Sequence, residues 1–187
     1  MHLETIRDFE WYNEPEFRFD SGAMLIKANP ETEFWQDARR AVCKDNGHFF
    51  FIRHSGDVTL TVQWKAEKEQ DCSAQYGLMG RIDALNWFKV SLVRQPDRGH
   101  SLALSVTNLG HSDLTLLPLP RNMEIINLRL EILNGDFCLS YATDDGDFFR
   151  VRMFQMLVKY EQLKMGAYIC NPGKAPFSAK LLDINFY

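Results

Sequence analysis

Gln75, Arg81, Trp87 and Lys89 all fall at odd positions in the stretch QYGLMGRIDALNWFK, interleaved with the apolar residues Tyr76, Leu78 and Phe88. Side chains of an extended chain alternate between faces, so an amide, two cations and an indole share one side of the sheet this stretch would build. An indole plate beside planar amide and cationic donors is the chemistry that recognises a polyhydroxyl or anionic ligand. Ser105 and Thr107, in SLALSVT, extend the polar face onto a neighbouring strand, and Asn13 and Trp35 would complete the site if the fold brings them there.

Other chemistries find less support. Glycoside hydrolysis needs two carboxylates about 5–5.5 Å apart for retention or about 6.5–9.5 Å for inversion. No strand expected on this face carries acids at alternate positions, and Glu31, Glu33, Asp144, Asp145 and Asp147 sit in turns. His111-Ser112-Asp113 has the residue types of a hydrolytic triad, but neighbours on one loop seldom converge as nucleophile, base and orienter, and no G-x-S-x-G elbow is present. The five histidines show no His-x-His or His-x-x-x-His spacing, and no glycine-rich phosphate loop occurs. No catalytic residue, metal or cofactor is therefore assigned.

The elements that must position these side chains are strands. Alternation of period two, broken by turn words such as Asp45-Asn46-Gly47, Ser55-Gly56-Asp57, Pro96-Asp97-Arg98-Gly99 and Asn134-Gly135-Asp136, predicts an all-β antiparallel protein. The expected strands are Ala23 to Ala28, His48 to Arg53, Asp57 to Lys65, Gln75 to Ile82, Trp87 to Arg94 and Ser101 to Thr107. Ile125 to Leu133, Phe137 to Thr143, Phe148 to Met153, Lys164 to Ile169 and Ala179 to Phe186 complete the set. So many strands in so short a chain must pack as a two-sheet jelly-roll sandwich. FQMLVKYEQL, from Phe154 to Leu163, is the one helical competitor.

Parity also predicts a register. If Tyr76, Leu78, Ile82, Phe88, Val90 and Leu92 all face the core, Ile82 pairs with Phe88 and Asp83 with Trp87, leaving Ala84-Leu85-Asn86 as a loop with Asn86 left-handed. Arg81 then faces Lys89, a like-charge pair that costs up to about 1 kcal/mol unless something negative lies between them. Asp83, solvent or an anionic or polyhydroxyl ligand would relieve it.

The 187 residues, 45% hydrophobic and 13% aromatic, suit one domain spanning 1–187 with its own core. A net charge of −4 points away from nucleic acid as a partner. The N-terminal MHLETIRDFEWYNEP lacks the pattern of a signal peptide, and no apolar run is long enough to span a bilayer, so no membrane partner is expected. Cys43, Cys72, Cys138 and Cys170 are widely spaced and read as free thiols of a cytoplasmic protein.

Several words in order along the chain carry a resemblance: Asn13-Glu14-Pro15 after Trp11, Phe34-Trp35, Asp45-Asn46-Gly47-His48-Phe49, Tyr76-Gly77-Leu78-Met79, Arg81-Ile82-Asp83, Asn86-Trp87-Phe88-Lys89, Ser105-Val106-Thr107 and Cys170-Asn171-Pro172. Together they resemble a domain family of unknown function with the concanavalin A-like lectin/glucanase fold, one fungal member of which is named as a regulator of enolase. The resemblance implies a jelly roll whose concave face carries the Gln75, Trp87, Lys89 and Thr107 positions. The chain departs from the family pattern at Ala74 and Val93, where acids are common, and at Leu114, where the pattern has tryptophan.

The expected function is a non-enzymatic binding or regulatory module of carbohydrate metabolism, with a protein partner such as a glycolytic enzyme. An intracellular carbohydrate-binding protein or degenerate glycoside hydrolase is the alternative, its ligand site made of Asn13, Trp35, Gln75, Arg81, Trp87, Lys89, Ser105 and Thr107. The segment NLGHSDLTLLPLPR, from Asn108 to Arg121, either tucks over a sheet edge or forms a contact patch.

Overall fold

A computed structural model of the protein describes residues 6–67, 73–95 and 99–187. Cys72, His2 and the turn word Pro96-Asp97-Arg98 lie outside the described residues. The described chain forms seventeen strands and no helix. In order they are β1 (Glu10–Tyr12), β2 (Glu16–Asp20), β3 (Ala23–Ala28), β4 (Phe34–Asp37), β5 (Val42–Asp45) and β6 (His48–His54). β7 (Val58–Lys65), β8 (Gln75–Asp83), β9 (Asn86–Gln95), β10 (Gly99–Asn108), β11 (His111–Ser112) and β12 (Thr115–Pro118) follow. The last are β13 (Ile125–Leu133), β14 (Asp136–Thr143), β15 (Phe149–Phe154), β16 (Leu163–Cys170) and β17 (Phe177–Phe186).

Two antiparallel sheets result. One has the order β1-β6-β16-β8-β9-β10-β11-β4-β5, with β12 also on β10; the other runs β15-β14-β13-β7-β17-β3-β2. All eleven expected strands form. The other six (β1, β2, β4, β5, β11 and β12) are too short for period two to stand out. Phe154 to Leu163 is not a helix: Met156 and Tyr160 lean on the core, while Leu157 is 71% exposed. No helix of the described structure is long and apolar enough to cross a membrane.

The core lies between the sheets. Leu60, Val62 and Trp64 of β7 and Leu128 and Leu130 of β13 meet Tyr76, Leu78, Phe88, Val90 and Leu92 from the other layer. Each such side chain contributes about 1.5–3 kcal/mol on burial. Trp64 also ties the layers with a hydrogen bond from its indole N–H to the Gly77 carbonyl at 3.1 Å.

The β8–β9 hairpin corrects the expected register. Arg81 pairs with Trp87, Lys89 with Met79 and Asp83 with Asn86, with a bulge at Ile82. The slip is two residues, so every side chain keeps its face while its partner changes. Ala84 and Leu85 alone form the loop. Asp83 closes it by accepting the Leu85 N–H at 2.7 Å and the Asn86 amide at 2.9 Å, so Asn86 is not in the left-handed region. At the β13–β14 turn, Asn134 and Gly135 do adopt positive φ, 52° and 85°, as an Asn-Gly hairpin requires.

The larger sheet curls over its own face. Phe34 and Asp45, on β4 and β5 at the far end of the strand order, touch Lys89 and Arg81 on the central β9 and β8. β4 stands three ladders from β9 and β5 five ladders from β8, and such distant segments meet because right-handed twist accumulates across a wide sheet.

Candidate functional site

That curl buries the face the sequence singles out. Phe34, Phe49, Phe51, Met79, Trp87, Tyr168 and Cys170 form a second apolar cluster on the side away from the main core, with Tyr12 against it. Trp87 is fully buried there, so it is not the open platform expected of it, and its indole Nε1 has no hydrogen-bond partner. Thr107 is equally buried, its hydroxyl 2.6 Å from that of Ser112.

Arg81 is occupied. Its guanidinium pairs with both carboxylate oxygens of Asp45, at 2.6 and 2.8 Å, and lies 4.9 Å from the centre of the Tyr12 ring. The carboxylate beside Arg81 is thus Asp45 rather than Asp83. Asn13 is a structural link: left-handed at φ 56°, it donates from Nδ2 to the Asn46 carbonyl and accepts from His48 Nδ1, both at 2.5 Å.

The remaining expected residues converge. Trp35, Gln75, Lys89 and Ser105 line a cleft of about 470 Å³, inside the usual range for small-ligand sites. Lys89 supplies the buried charge. Its Nζ donates to the Phe34 carbonyl at 2.7 Å and to Gln75 Oε1 at 2.9 Å, and stands 5.6 and 5.7 Å from the rings of Trp87 and Tyr168. No carboxylate among the described residues closes an ion pair with it. Burial pushes the Lys89 ammonium below the ordinary lysine range, partly offset by the attraction of Cys170 and Glu33. Because Nζ can only donate, Gln75 must turn its oxygen to Lys89 and its NH₂ away.

Sequence reasoning missed Glu33, Arg94, Gln95 and Leu116 in this lining. Gln95 and Val93 share the odd parity of Lys89 on β9 and were legible on that ground; Glu33 was read as turn chemistry, and Leu116 enters only because β12 pairs with β10. Val93 and Leu114, two of the positions where the chain departs from the resembled pattern, also line the cleft. Leu117 and Leu119 of the same segment pack inward, so the segment tucks along the β10 edge and leaves Leu114 and Leu116 outside.

A larger hollow of about 520 Å³ lies on the other sheet, between Asp57, Glu131, Asp136 and Tyr187. Its acids have protein partners in the Asn134 N–H, Arg129 and Gln155. Among the described residues no three His, Cys, Asp or Glu side chains gather to hold a metal ion.

The pattern of a family described as a protein of unknown function, DUF1349, matches residues 11–187. The chain belongs to that family. The DUF1349 chain is 25% identical over 165 residues, 88% of its length and 81% of the relative's, to a protein of Saccharomyces cerevisiae named Regulation of enolase protein 1. A solved structure of a functionally unknown S. cerevisiae protein superposes with a TM-score of 0.86 at 20% identity, covering 97% of each chain. A Bacteroides ovatus protein from a xyloglucan locus, GH43B, gives 0.78 at 13% identity over the whole of this chain and 37% of its own. A legume lectin-like domain of Entamoeba histolytica gives 0.64 at 8% identity, covering 98% and 91%. These likenesses establish the fold of this DUF1349 member as a concanavalin A-like sandwich.

Proposed function

We propose that the chain is a non-enzymatic binding module, one domain over 1–187, that acts in the cytoplasm as a regulator of a glycolytic enzyme such as enolase. The similarity to a protein named for regulation of enolase carries this reading. The geometry supports binding over hydrolysis: among the described residues lining the cleft Glu33 is the one carboxylate, and the two-acid route to glycoside cleavage needs a second. Leu114 and Leu116, 54% and 47% exposed beside the cleft, supply an apolar contact for a protein.

Carbohydrate binding is the second reading, favoured by the half-buried Trp35 with Gln75 and Lys89 around one cleft. Enolase kinetics measured with and without the purified chain, together with capture of enolase on immobilised protein, test the first. An altered rate or capture that is lost in Leu114→Asp/Leu116→Asp supports it; unchanged kinetics with no capture overturns it. A glycan array on wild type and Trp35→Ala tests the second, and sugar binding that disappears in the variant would favour it.

A further inference from the structure

We infer that the cleft over Lys89 takes a small polyhydroxyl anion, a sugar acid or sugar phosphate, whose negative group meets the Lys89 ammonium and whose carbon face lies on Trp35. The inference rests on the reading of the chain as a binding module and names the ligand class of its cleft.

Lys89 is 4% exposed and has only neutral acceptors, a carbonyl and an amide oxygen. Burying an ammonium without a counter-charge is costly, and proteins normally place a carboxylate beside one. The fold does so for its other buried cation, Arg81, with Asp45. Lys89 instead opens onto a cleft, and two acceptors leave the third of its N–H donors unused. An anionic group entering the cleft would supply both the missing charge and the missing acceptor.

The rest of the lining suits hydroxyl groups. Gln75, its oxygen held by Lys89, has two amide N–H donors left. Ser105 spends its proton on the Asp113 carbonyl at 2.6 Å and keeps its lone pairs, and Glu33 is a further acceptor. Trp35 provides the flat apolar surface on which a sugar's C–H face packs. Lys89, lining the cleft with only neutral acceptors, favours an anion over a neutral sugar.

Calorimetric titration of the full chain with D-gluconate, D-glucose 6-phosphate, D-glucose and inorganic phosphate tests this. Gluconate, glucose 6-phosphate or both should bind at least about tenfold more tightly than glucose and phosphate, as expected when a buried charge finds its partner. Which of the two binds better tells a carboxylate ligand from a phosphate one. Gln75→Glu places a carboxylate on Lys89 from within the protein; it should raise thermal stability and cut affinity for the sugar anion by at least about tenfold. Glucose or phosphate binding as tightly as the sugar anions, no binding by folded wild type, or an unchanged affinity in Gln75→Glu would each overturn the inference. Enolase assays on the same samples separate the two claims: a protein that alters enolase without binding either anion overturns the ligand assignment alone, and one that binds an anion but never touches enolase overturns the partner alone.

Discussion

Arg81 and Asp45 form a two-bonded ion pair that fastens β5, the last strand of the curled sheet, to β8 at its centre. Their side chains are 7% and 20% exposed, so the pair is largely withdrawn from water. Asp45→Ala would strand the guanidinium and cost about 3–5 kcal/mol, whereas Arg81→Met/Asp45→Leu should recover most of that loss. Urea unfolding of the two variants decides it; a single variant as stable as wild type would mean that the pair does not hold the curl.

His48 predicts an acid limb. Its Nε2 accepts the Asn29 N–H at 3.0 Å while Nδ1 faces the Asn13 carbonyl, an arrangement open only to the neutral ring with its proton on Nδ1. Burial lowers its pKa below 6.5, despite the Asn13 hydrogen bond that favours the charged form. The unfolded chain therefore binds more protons below about pH 6.5, and stability falls as pH drops through that value toward the lower folded one. His100 is shifted the same way, so His48→Ala should flatten the limb without abolishing it, and should cost about 2–4 kcal/mol at pH 7 by leaving the Asn29 and Asn13 backbone groups unpaired. Stability that does not change between pH 7 and pH 5 would refute this.

At alkaline pH the sign reverses for Cys170. Burial raises its thiol from 9.0 to about 11, against the opposing attraction of Lys89, so the folded state keeps a proton that the unfolded state releases. The stability this represents is complete below about pH 9 and is lost as pH rises toward 11. Cys170→Ala should make that limb shallower. In native protein iodoacetamide should modify the exposed Cys43 well before the buried Cys138 and Cys170, which peptide mass mapping would read directly.

Gly77 leaves no room for a side chain. A Cβ there would lie 2.0 Å from the Val90 carbonyl oxygen, a backbone atom of the paired strand that cannot swing aside. Gly77→Ala should cost at least about 3 kcal/mol or prevent folding, whereas Gly56→Ala, at positive φ in open space, should cost only about 1 kcal/mol. Equal melting temperatures for the two would contradict the close approach.

Period-two patterning by itself determined the all-β class, the eleven longer strands and the division of β8 and β9 into a core face with Tyr76, Leu78, Phe88, Val90 and Leu92 and an opposite face with Gln75, Arg81, Trp87 and Lys89. Alternation reports only which side a residue takes, and a slip of two leaves every side unchanged, so the partner of Arg81 was not legible. Nor was its counter-ion, since Asp45 lies 36 positions away. Tertiary structure alone decided that Trp87 is sealed while Lys89 reaches a cleft. The reason is the accumulated twist that folds β4 and β5 back over the sheet, laying Phe34 across one and leaving Glu33 and Trp35 at the rim of the other.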